Sequence, residues 1–250
     1  MTPLMDAFTC SPLPWPHWLA DDGSVLLING DCREVLPLLR AGAVDACVTD
    51  PPYGIGLDTD YSTISDSGRG VVGYGYLRKN HPPVIGDDKP FDPAPLLGFP
   101  ECILFGVHRF WSKLPDTGSL LVWDKRAHNG HALLADGECA WHSRGTGVFI
   151  FSHCWHGFAR ASENSEHYHP TQKPVALLAW CLSRLRTEAH TILDPYAGSF
   201  PTPVACIQTG RRAICVELDA AYFALGVARC KQAIADTATF FGKPVQGELA

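Results

Sequence analysis

Several features that would assign the chain to common protein classes are missing from its 250 residues. The N-terminus has no basic region followed by an apolar core, so we expect no secretory signal. No uninterrupted apolar run approaches the length that spans a membrane. The ten cysteines form no C-x-x-C pair and most lie in apolar runs, which predicts reduced thiols rather than a disulfide framework. These absences indicate a cytoplasmic protein without a membrane partner.

Length and composition indicate one globular domain, but they do not identify the partner of the protein. Hydrophobic residues make up 46% of the chain and charged residues 18%, which excludes a disordered protein. The length suits one domain with a sizeable core, and no internal repeat or linker divides it. The net charge of −6 argues against a protein that coats nucleic acid, although a local basic face can coexist with an acidic total.

The motif Asp50-Pro51-Pro52-Tyr53 follows an apolar run, residues 44–49, that predicts a buried parallel strand. The strand must end there, because prolines cannot donate to a sheet ladder and fix their own φ. An acid, two rigid carbonyls and an aromatic ring are thus presented at a carboxyl end, where open α/β sheets bind ligands. This set suits a planar group with an exocyclic amine, such as adenine or cytosine. Taken alone, the motif is equally consistent with a simple Pro-Pro turn.

Strand and helix patterns alternate along most of the chain, which predicts an α/β fold with a mostly parallel sheet and helices on both faces. Apolar runs predict strands at residues 25–28, 44–49, 102–106, 119–123, 191–193 and 213–216. Helical spacing predicts helices over 32–39, 174–186 and 220–235. Another helix is expected to be capped by Thr202 and to begin at Pro203. Residues 147–152 predict a hairpin.

Residues 191–217 predict a strand, a turn, a helix and a second strand that ends in an acid. Gly198 in the turn allows a ligand to approach the backbone closely, and Glu217 can accept hydrogen bonds from ribose hydroxyls. The turn carries no G-x-G-x-x-G, which argues against a dinucleotide. Many α/β proteins have an acid at a strand end, so a purely structural role stays open on this pattern alone.

The run His169-Pro170-Thr171-Gln172-Lys173-Pro174 connects these motifs. Asp-Pro-Pro-Tyr, followed by this run and then by Asp194-Pro195-Tyr196-Ala197-Gly198, resembles the amino-methyltransferases that modify DNA bases. The order resembles their permuted β group, and especially the compact methylases of phages and prophages, with the catalytic half first. The resemblance covers about residues 26–229. It implies a Rossmann-like S-adenosylmethionine-dependent methyltransferase fold in a single domain, residues 1–250.

The resemblance also assigns roles to individual residues. Asp50, Pro51, Pro52 and Tyr53 match the catalytic motif, in which the acid and the first proline carbonyl accept the N–H bonds of a flipped base. Thr171 and Lys173 lie at a helix start, where free N–H groups favour an anion such as the methionine carboxylate. The full set of implied cofactor-binding residues is Asp31, Thr171, Lys173, Asp194, Tyr196, Ala197, Gly198 and Glu217.

One position departs from the family's pattern. After Gly198-Ser199 the family usually continues with Gly-Thr-Thr-Gly, whereas this chain has Phe200-Pro201-Thr202-Pro203. Phe200 replaces a glycine whose missing side chain lets the backbone approach the cofactor. A ring in the cofactor cleft would weaken binding, so we expect the ring to point away into the core.

Two aperiodic segments are expected to contact double-stranded DNA. Residues 66–80, in a predicted mobile loop at 55–90, contain four glycines and two tyrosines. Residues 127–168 predict a target-recognition insert, whose cysteines and histidines match no closed zinc site, so no metal is expected. Cations in or before these segments could bind phosphates or simply be solvated: Arg69, Arg78, Lys79, Lys125 and Arg126.

The residues leave several functions open. Asp at the first motif position resembles the adenine-N6 members more than the cytosine-N4 members, which more often carry Ser, so N4-cytosine is the alternative. Phe200 also allows a DNA-binding pseudo-enzyme. A glutamine or RNA methyltransferase would more often begin its motif with Asn, and a nicotinamide oxidoreductase is disfavoured by the missing glycines. The resemblance leaves open a homodimer and a cognate restriction enzyme as partners.

Overall fold

The computed structural model describes residues 3–57, 83–126, 135–156, 159–163 and 171–241. Most of the predicted mobile loop, with Arg69, Arg78 and Lys79, lies outside these residues, as do His169 and Pro170. None of the described helices combines the length and the apolar character needed to span a bilayer.

Nine of the eleven described strands form one sheet. They are β1 (His17–Leu19), β2 (Val25–Asn29), β3 (Ala46–Thr49), β4 (Cys102–Phe105), β5 (Ser119–Asp124), β6 (Gly137–His142), β7 (Val148–Ser152), β10 (Thr191–Asp194) and β11 (Arg212–Glu217). Their order across the sheet is β1-β2-β11-β10-β3-β4-β6-β5-β7. The short strands β8 (Trp155–His156) and β9 (Ala159–Arg160) pair separately.

The middle of the sheet is parallel, as predicted. The strands β2, β11, β10, β3 and β4 run in one direction, with Leu193 of β10 opposite Ile214 of β11 and Cys47 of β3. Their side chains are buried on both faces, which explains why they are continuous apolar runs rather than alternating ones. The strand β6 is antiparallel to both β4 and β5, so its first residues lie at the edge where the parallel strands end.

The four described α-helices cover the sheet unequally. On one face lie α2 (Val175–Arg184), α3 (Pro201–Gln208) and α4 (Ala220–Phe241). On the other face lie α1 (Cys32–Val35) and the N-terminal segment, whose Leu4 and Phe8 are buried. The predicted helix over 32–39 changes to a 3-10 turn at Leu36–Leu38, because Pro37 has no N–H for an α-helical bond.

One sequence prediction about the second half of the sheet is wrong. Residues 147–152 do not form a hairpin, because β7 pairs in parallel with β5 as an edge strand. The segment 127–168, whose role in target recognition stays a prediction, includes β6 and β7, which are strands of the main sheet. In β6 the residue Ala140 is buried in one core and Trp141 in the other, which requires a strand between two packed layers.

Candidate active site

The carboxyl ends of four neighbouring strands bring the predicted site residues to one edge of the sheet. Asp31 follows β2, Glu217 ends β11, Asp194 ends β10 and Asp50 follows β3. Because β10 lies between β11 and β3, the predicted cofactor turn is directly beside the catalytic motif. Sequence reasoning therefore placed these four acids correctly at strand ends, and the sheet order makes them neighbours.

Asp50 is the centre of the catalytic motif. Its Oδ1 accepts a hydrogen bond from the Tyr53 hydroxyl, and its Oδ2 accepts one from the Lys173 ammonium group. The Tyr53 ring lies against the backbone of Gly106, where an added Cβ would be 2.0 Å from the ring's Cε1 atom. Gly106 has a φ of 75°, so both its conformation and this close approach require glycine. The turn after β4 thus fixes the position of the aromatic ring.

A carboxylate outside the motif fixes the catalytic loop. Asp87, 5% exposed, accepts hydrogen bonds at Oδ1 from the Gly54 and Ile55 amides (2.7 and 3.2 Å) and at Oδ2 from the Leu57 amide (2.7 Å). Gly54 has a φ of 74°, and an added Cβ would lie 2.2 Å from the Lys89 carbonyl oxygen. This part of the predicted mobile loop, 55–90, is therefore an ordered support for the catalytic motif.

A chain of alternating charges runs from Asp50 into the sheet. Lys173, with a side chain 5% exposed, binds Asp50 and lies 2.9 Å from Oε2 of Glu138, whose other oxygen binds Lys125. Asp50, Lys125 and Glu138 meet because β3 and β5 end, and antiparallel β6 begins, at the same edge. Glu138 was not identified from the sequence. The available signal was an acid in a strand whose alternate residue Ala140 is buried, since such an acid needs a buried cation.

Burial and the neighbouring charges shift the pKa values of Asp50, Glu138 and Lys173. Burial raises the pKa of Asp50, and the charge of Glu138 adds to this effect against the opposing effect of Lys173. Burial also tends to raise the pKa of Glu138, but Lys173 and Lys125 outweigh it and lower that pKa to about 2. Burial disfavours the charge on Lys173, yet Asp50 and Glu138 together raise its pKa. Glu138 and Lys173 are therefore charged at neutral pH.

The carboxylate of Asp194 stabilises the predicted cofactor turn through hydrogen bonds. Its Oδ1 accepts hydrogen bonds from the Thr49 hydroxyl (2.6 Å) and the Tyr196 amide (3.1 Å), and its Oδ2 accepts one from the Thr202 hydroxyl (2.6 Å). The residue is 2% exposed, and burial raises its pKa to about 6. Its carboxylate ties β3, the turn and α3 together, and it is buried among protein groups rather than open to a ligand.

Glu217 and Gly198 form the open side of the same turn. Glu217 Oε2 accepts from the Gly198 amide and Oε1 from the Asp219 amide, both at 2.8 Å. Gly198 has a φ of 52°, and a Cβ built there meets no described atom within 4 Å. A half-buried acceptor beside open space fits the hydroxyls of a nucleoside. Burial raises the pKa of Glu217 to about 7.

The ring of Phe200 points away from this space, as the sequence analysis expected. Phe200 is 0% exposed in the core between α3 and α4, and a Cβ added to Gly226 of α4 would lie 2.3 Å from the ring. The predicted helix boundary was wrong, because α3 begins at Pro201 after Phe200, whose φ is 62°. Thr202 is therefore no cap, and its hydroxyl is used by Asp194.

The N-terminus of α2 binds a carboxylate of the protein itself, that of Glu163. Glu163 Oε2 accepts from the Val175 amide at 2.9 Å, and Oε1 lies 3.0 Å from Arg229 Nη2. Arg229 also donates to the carbonyl of Ser199 in the predicted cofactor turn. Glu163, which the sequence analysis missed, thus links α2, α4 and that turn. Thr171 is exposed just before α2.

The remaining predicted residues lie around these groups. Asp31 caps α1 through the Arg33 amide (2.9 Å) and pairs with the exposed Arg33 guanidinium (2.5 Å), which lowers its pKa. Tyr196 packs edge-to-face on Phe91, with ring centroids 5.9 Å apart. The buried Ala197 donates its amide to the Val216 carbonyl (3.0 Å).

The two described cations that were predicted to contact DNA are both engaged within the protein. Lys125 is turned inward onto Glu138, and its ammonium lies 4.8 Å from the Trp123 ring. Arg126, with a side chain 37% exposed, lies 3.1 Å from Asp136. Lys125 therefore belongs to the charged chain of the site rather than to a solvated surface.

Comparison with known proteins shows several similarities. Residues 119–228, less than half of the chain, match the model of a DNA methylase family. A stretch of 61 residues is 41% identical to DNA adenine methyltransferase YhdJ of Escherichia coli K12, covering 24% of this chain and 21% of that protein. The match thus spans about a fifth of that relative's length.

Two further similarities cover most of the chain. Over 234 residues it is 26% identical to the putative methylase YubD of Escherichia coli K12, covering 81% of this chain and 88% of that protein. A putative DNA modification methylase from Thermus thermophilus has a similar structure, with a TM-score of 0.50 and 19% identity over 83% of this chain and 94% of that one. The second similarity shows that the Rossmann-like fold is shared.

Proposed function

We propose that this chain transfers a methyl group from S-adenosyl-L-methionine to the exocyclic amine of a flipped base in DNA, N6 of adenine. The observation that carries the proposal is the position of Asp50, a half-buried carboxylate that follows β3 beside the open turn at Gly198 and Glu217. The 41% identity to a DNA adenine methyltransferase and the Asp at the first motif position support adenine over cytosine.

The residues present fit this cofactor. Glu217 can accept hydrogen bonds from ribose hydroxyls, and the space beside Gly198 lets a ligand approach the backbone. Asp31 follows β2, the strand beside β11, and would bind the cofactor near its adenine. When bound, S-adenosyl-L-methionine supplies a methyl group on a sulfonium sulfur.

In this mechanism the protein positions the amine and stabilises its charge. The carboxylate of Asp50 and the carbonyl of Pro51 accept the two N–H bonds, which draws the nitrogen toward tetrahedral geometry. A nitrogen that takes the methyl group of the cofactor develops positive charge, and both acceptors would stabilise that charge. Tyr53, fixed by Gly106, offers a stacking face worth about 1–3 kcal/mol, which offsets part of the cost of base flipping.

A labelling experiment tests the function. The protein is incubated with tritiated S-adenosyl-L-methionine and DNA from a methylation-deficient host, and the DNA is then hydrolysed and its bases separated. We expect the label in N6-methyladenine. Label in N4-methylcytosine would keep the reaction and overturn the choice of base. No label on DNA, with cofactor bound in calorimetry, would instead indicate a DNA-binding pseudo-enzyme.

A further inference from the structure

The Lys173 ammonium group binds the carboxylate that the proposed mechanism assigns to the target amine. It donates to Oδ2 of Asp50, while the Tyr53 hydroxyl donates to Oδ1, so both oxygens of the carboxylate already have one donor. Each oxygen can accept a second hydrogen bond, but an amine that shares Asp50 with this ammonium group would develop its positive charge beside another cation. The Lys173 side chain is only 5% exposed, so it cannot simply turn out into water.

Glu138 provides a second acceptor for the same ammonium group. Its Oε2 lies 2.9 Å from Lys173 Nζ, yet no described residue donates a well-formed hydrogen bond to that buried oxygen. The other oxygen of Glu138 is bound to Lys125, which keeps the carboxylate charged and in place. A small rotation of Lys173 away from Asp50 would therefore complete a hydrogen bond that Glu138 lacks.

We propose that Lys173 is a displaceable substitute for the target amine, and that Glu138 is the positioning residue that receives it when the base enters. The proposal rests on the proposed function. Before the base enters, Lys173 gives the half-buried charge of Asp50 a partner, without which it would be costly. When the base arrives, the amine takes over Asp50 and the ammonium keeps a charged partner in Glu138. Lys173 therefore has a carboxylate partner before and after the exchange. Entry of the base does not cost the ammonium group its ion pair.

A double-mutant cycle on Glu138→Gln and Lys173→Met tests the proposal. We expect Glu138→Gln alone to lower kcat/KM for DNA about tenfold, a coupling of ordinary size for contacting groups, with unchanged cofactor affinity in calorimetry. In the Lys173→Met background the same change should alter kcat/KM less than about twofold. Glu188→Gln, an acid-to-amide change at an exposed residue, is the matched control. An equal loss in both backgrounds, or no loss in the wild-type background, would overturn the proposal.

Equilibrium binding gives a second readout that needs no turnover, in case Lys173→Met folds poorly. The affinity of the protein is measured, in the presence of S-adenosylhomocysteine, for two unmethylated duplexes that contain the sequence that it methylates. One duplex has adenine at the target position and the other has an abasic site there. Glu138→Gln should weaken binding of the adenine duplex about tenfold and leave the abasic duplex unchanged, because only the base displaces Lys173. Equal weakening of both duplexes would refute the inference. Failure of the wild type to label any DNA would refute the proposed function instead.

Discussion

Phe200 combines two opposing contributions at one position. Its φ of 62° places a non-glycine residue in the left-handed region, which costs about 1–2 kcal/mol. Its fully buried ring lies where Gly226 leaves room between α3 and α4, and burying such a side chain contributes about 1.5–3 kcal/mol. The ring thus offsets the strain of the turn, which explains how the chain departs from the family's glycine without filling the cofactor space.

Two separate substitutions of Phe200, by alanine and by glycine, distinguish the contribution of the ring from that of the backbone strain. Phe200→Ala removes the ring but keeps the strain, so we expect the free energy of unfolding to fall by about 3–5 kcal/mol. Phe200→Gly also relieves the strain and should be less destabilising by about 1 kcal/mol. Chemical denaturation measures both, and calorimetry should show little change in cofactor affinity. Tighter cofactor binding with unchanged stability would mean that the ring lies in the cleft.

Glu217, the proposed ribose acceptor, should make cofactor binding depend on pH near neutrality. Burial raises its pKa to about 7, so the group is ionised above that pH and protonated below it. Ribose hydroxyls donate to the ionised form, so affinity for S-adenosyl-L-methionine should fall by up to about tenfold from pH 8 to pH 6. Calorimetry at both pH values tests this, with Glu217→Gln as the reference. A wild type and a variant with the same pH dependence would exclude Glu217 as its source.

At the scale of elements, the turn after β4 supports the catalytic loop on β3. Gly106 joins β4 to the 3-10 turn Val107–Arg109, and the Tyr53 ring occupies the space above its Cα atom. His108 from the same turn packs edge-to-face on Tyr53, with ring centroids 6.2 Å apart. The aromatic ring of the catalytic motif is therefore positioned by a neighbouring strand rather than by its own loop.

A pair of glycine substitutions tests this support. Gly106→Ala should lower kcat/KM for DNA by about tenfold or more, because its Cβ must displace Tyr53 and small displacements in an active site are costly. Gly210→Ala is the matched control, since Gly210 also has a positive φ (70°) but meets no described atom within 4 Å of an added Cβ. Both variants carry similar backbone strain, and Gly106→Ala should lose additional stability because its Cβ displaces Tyr53. Equal activity in the two variants would contradict the positioning role.

The elements differ in how far local sequence predicts them. The strands β2, β10 and β11 were predicted within two residues, because each is a short apolar run that is buried on both faces. The partner of β7 could not be predicted, since its parallel pairing with β5 depends on β6 lying between β4 and β5. The start of α3 was misplaced because Phe200 takes a left-handed conformation that sequence patterns assign to glycine.

At the scale of the whole molecule, local sequence predicts some residues of the site and misses others. Asp50 and Glu217 were predictable because each ends a strand within a recognisable motif. Glu138 was not, because its partners Lys125 and Lys173 are brought to it only by the antiparallel direction of β6 and by the packing of α2. The sheet joins the proposed catalytic half, at the start of the chain, to the proposed cofactor half, at its end. Thr49 marks that junction, with its hydroxyl 2.6 Å from Asp194.

The division into halves predicts that catalysis and cofactor binding can be separated by one substitution. The described contacts of the Asp50 carboxylate are with Tyr53 and Lys173, and the cofactor turn is held independently by Asp194 and Glu217. In Asp50→Ala the Lys173 ammonium keeps Glu138 as a partner, so the fold should persist.

Asp50→Ala, assayed for methyl transfer and for cofactor affinity on the same preparation, therefore tests the account most directly. We expect transfer to DNA to fall by about 10²–10³-fold, the effect of removing one group that stabilises transition-state charge. The dissociation constant for S-adenosyl-L-methionine should change by less than about threefold, since Asp50 lies outside the cofactor turn. Transfer that persists near the wild-type rate would contradict the assignment of Asp50 as the acceptor of the target amine.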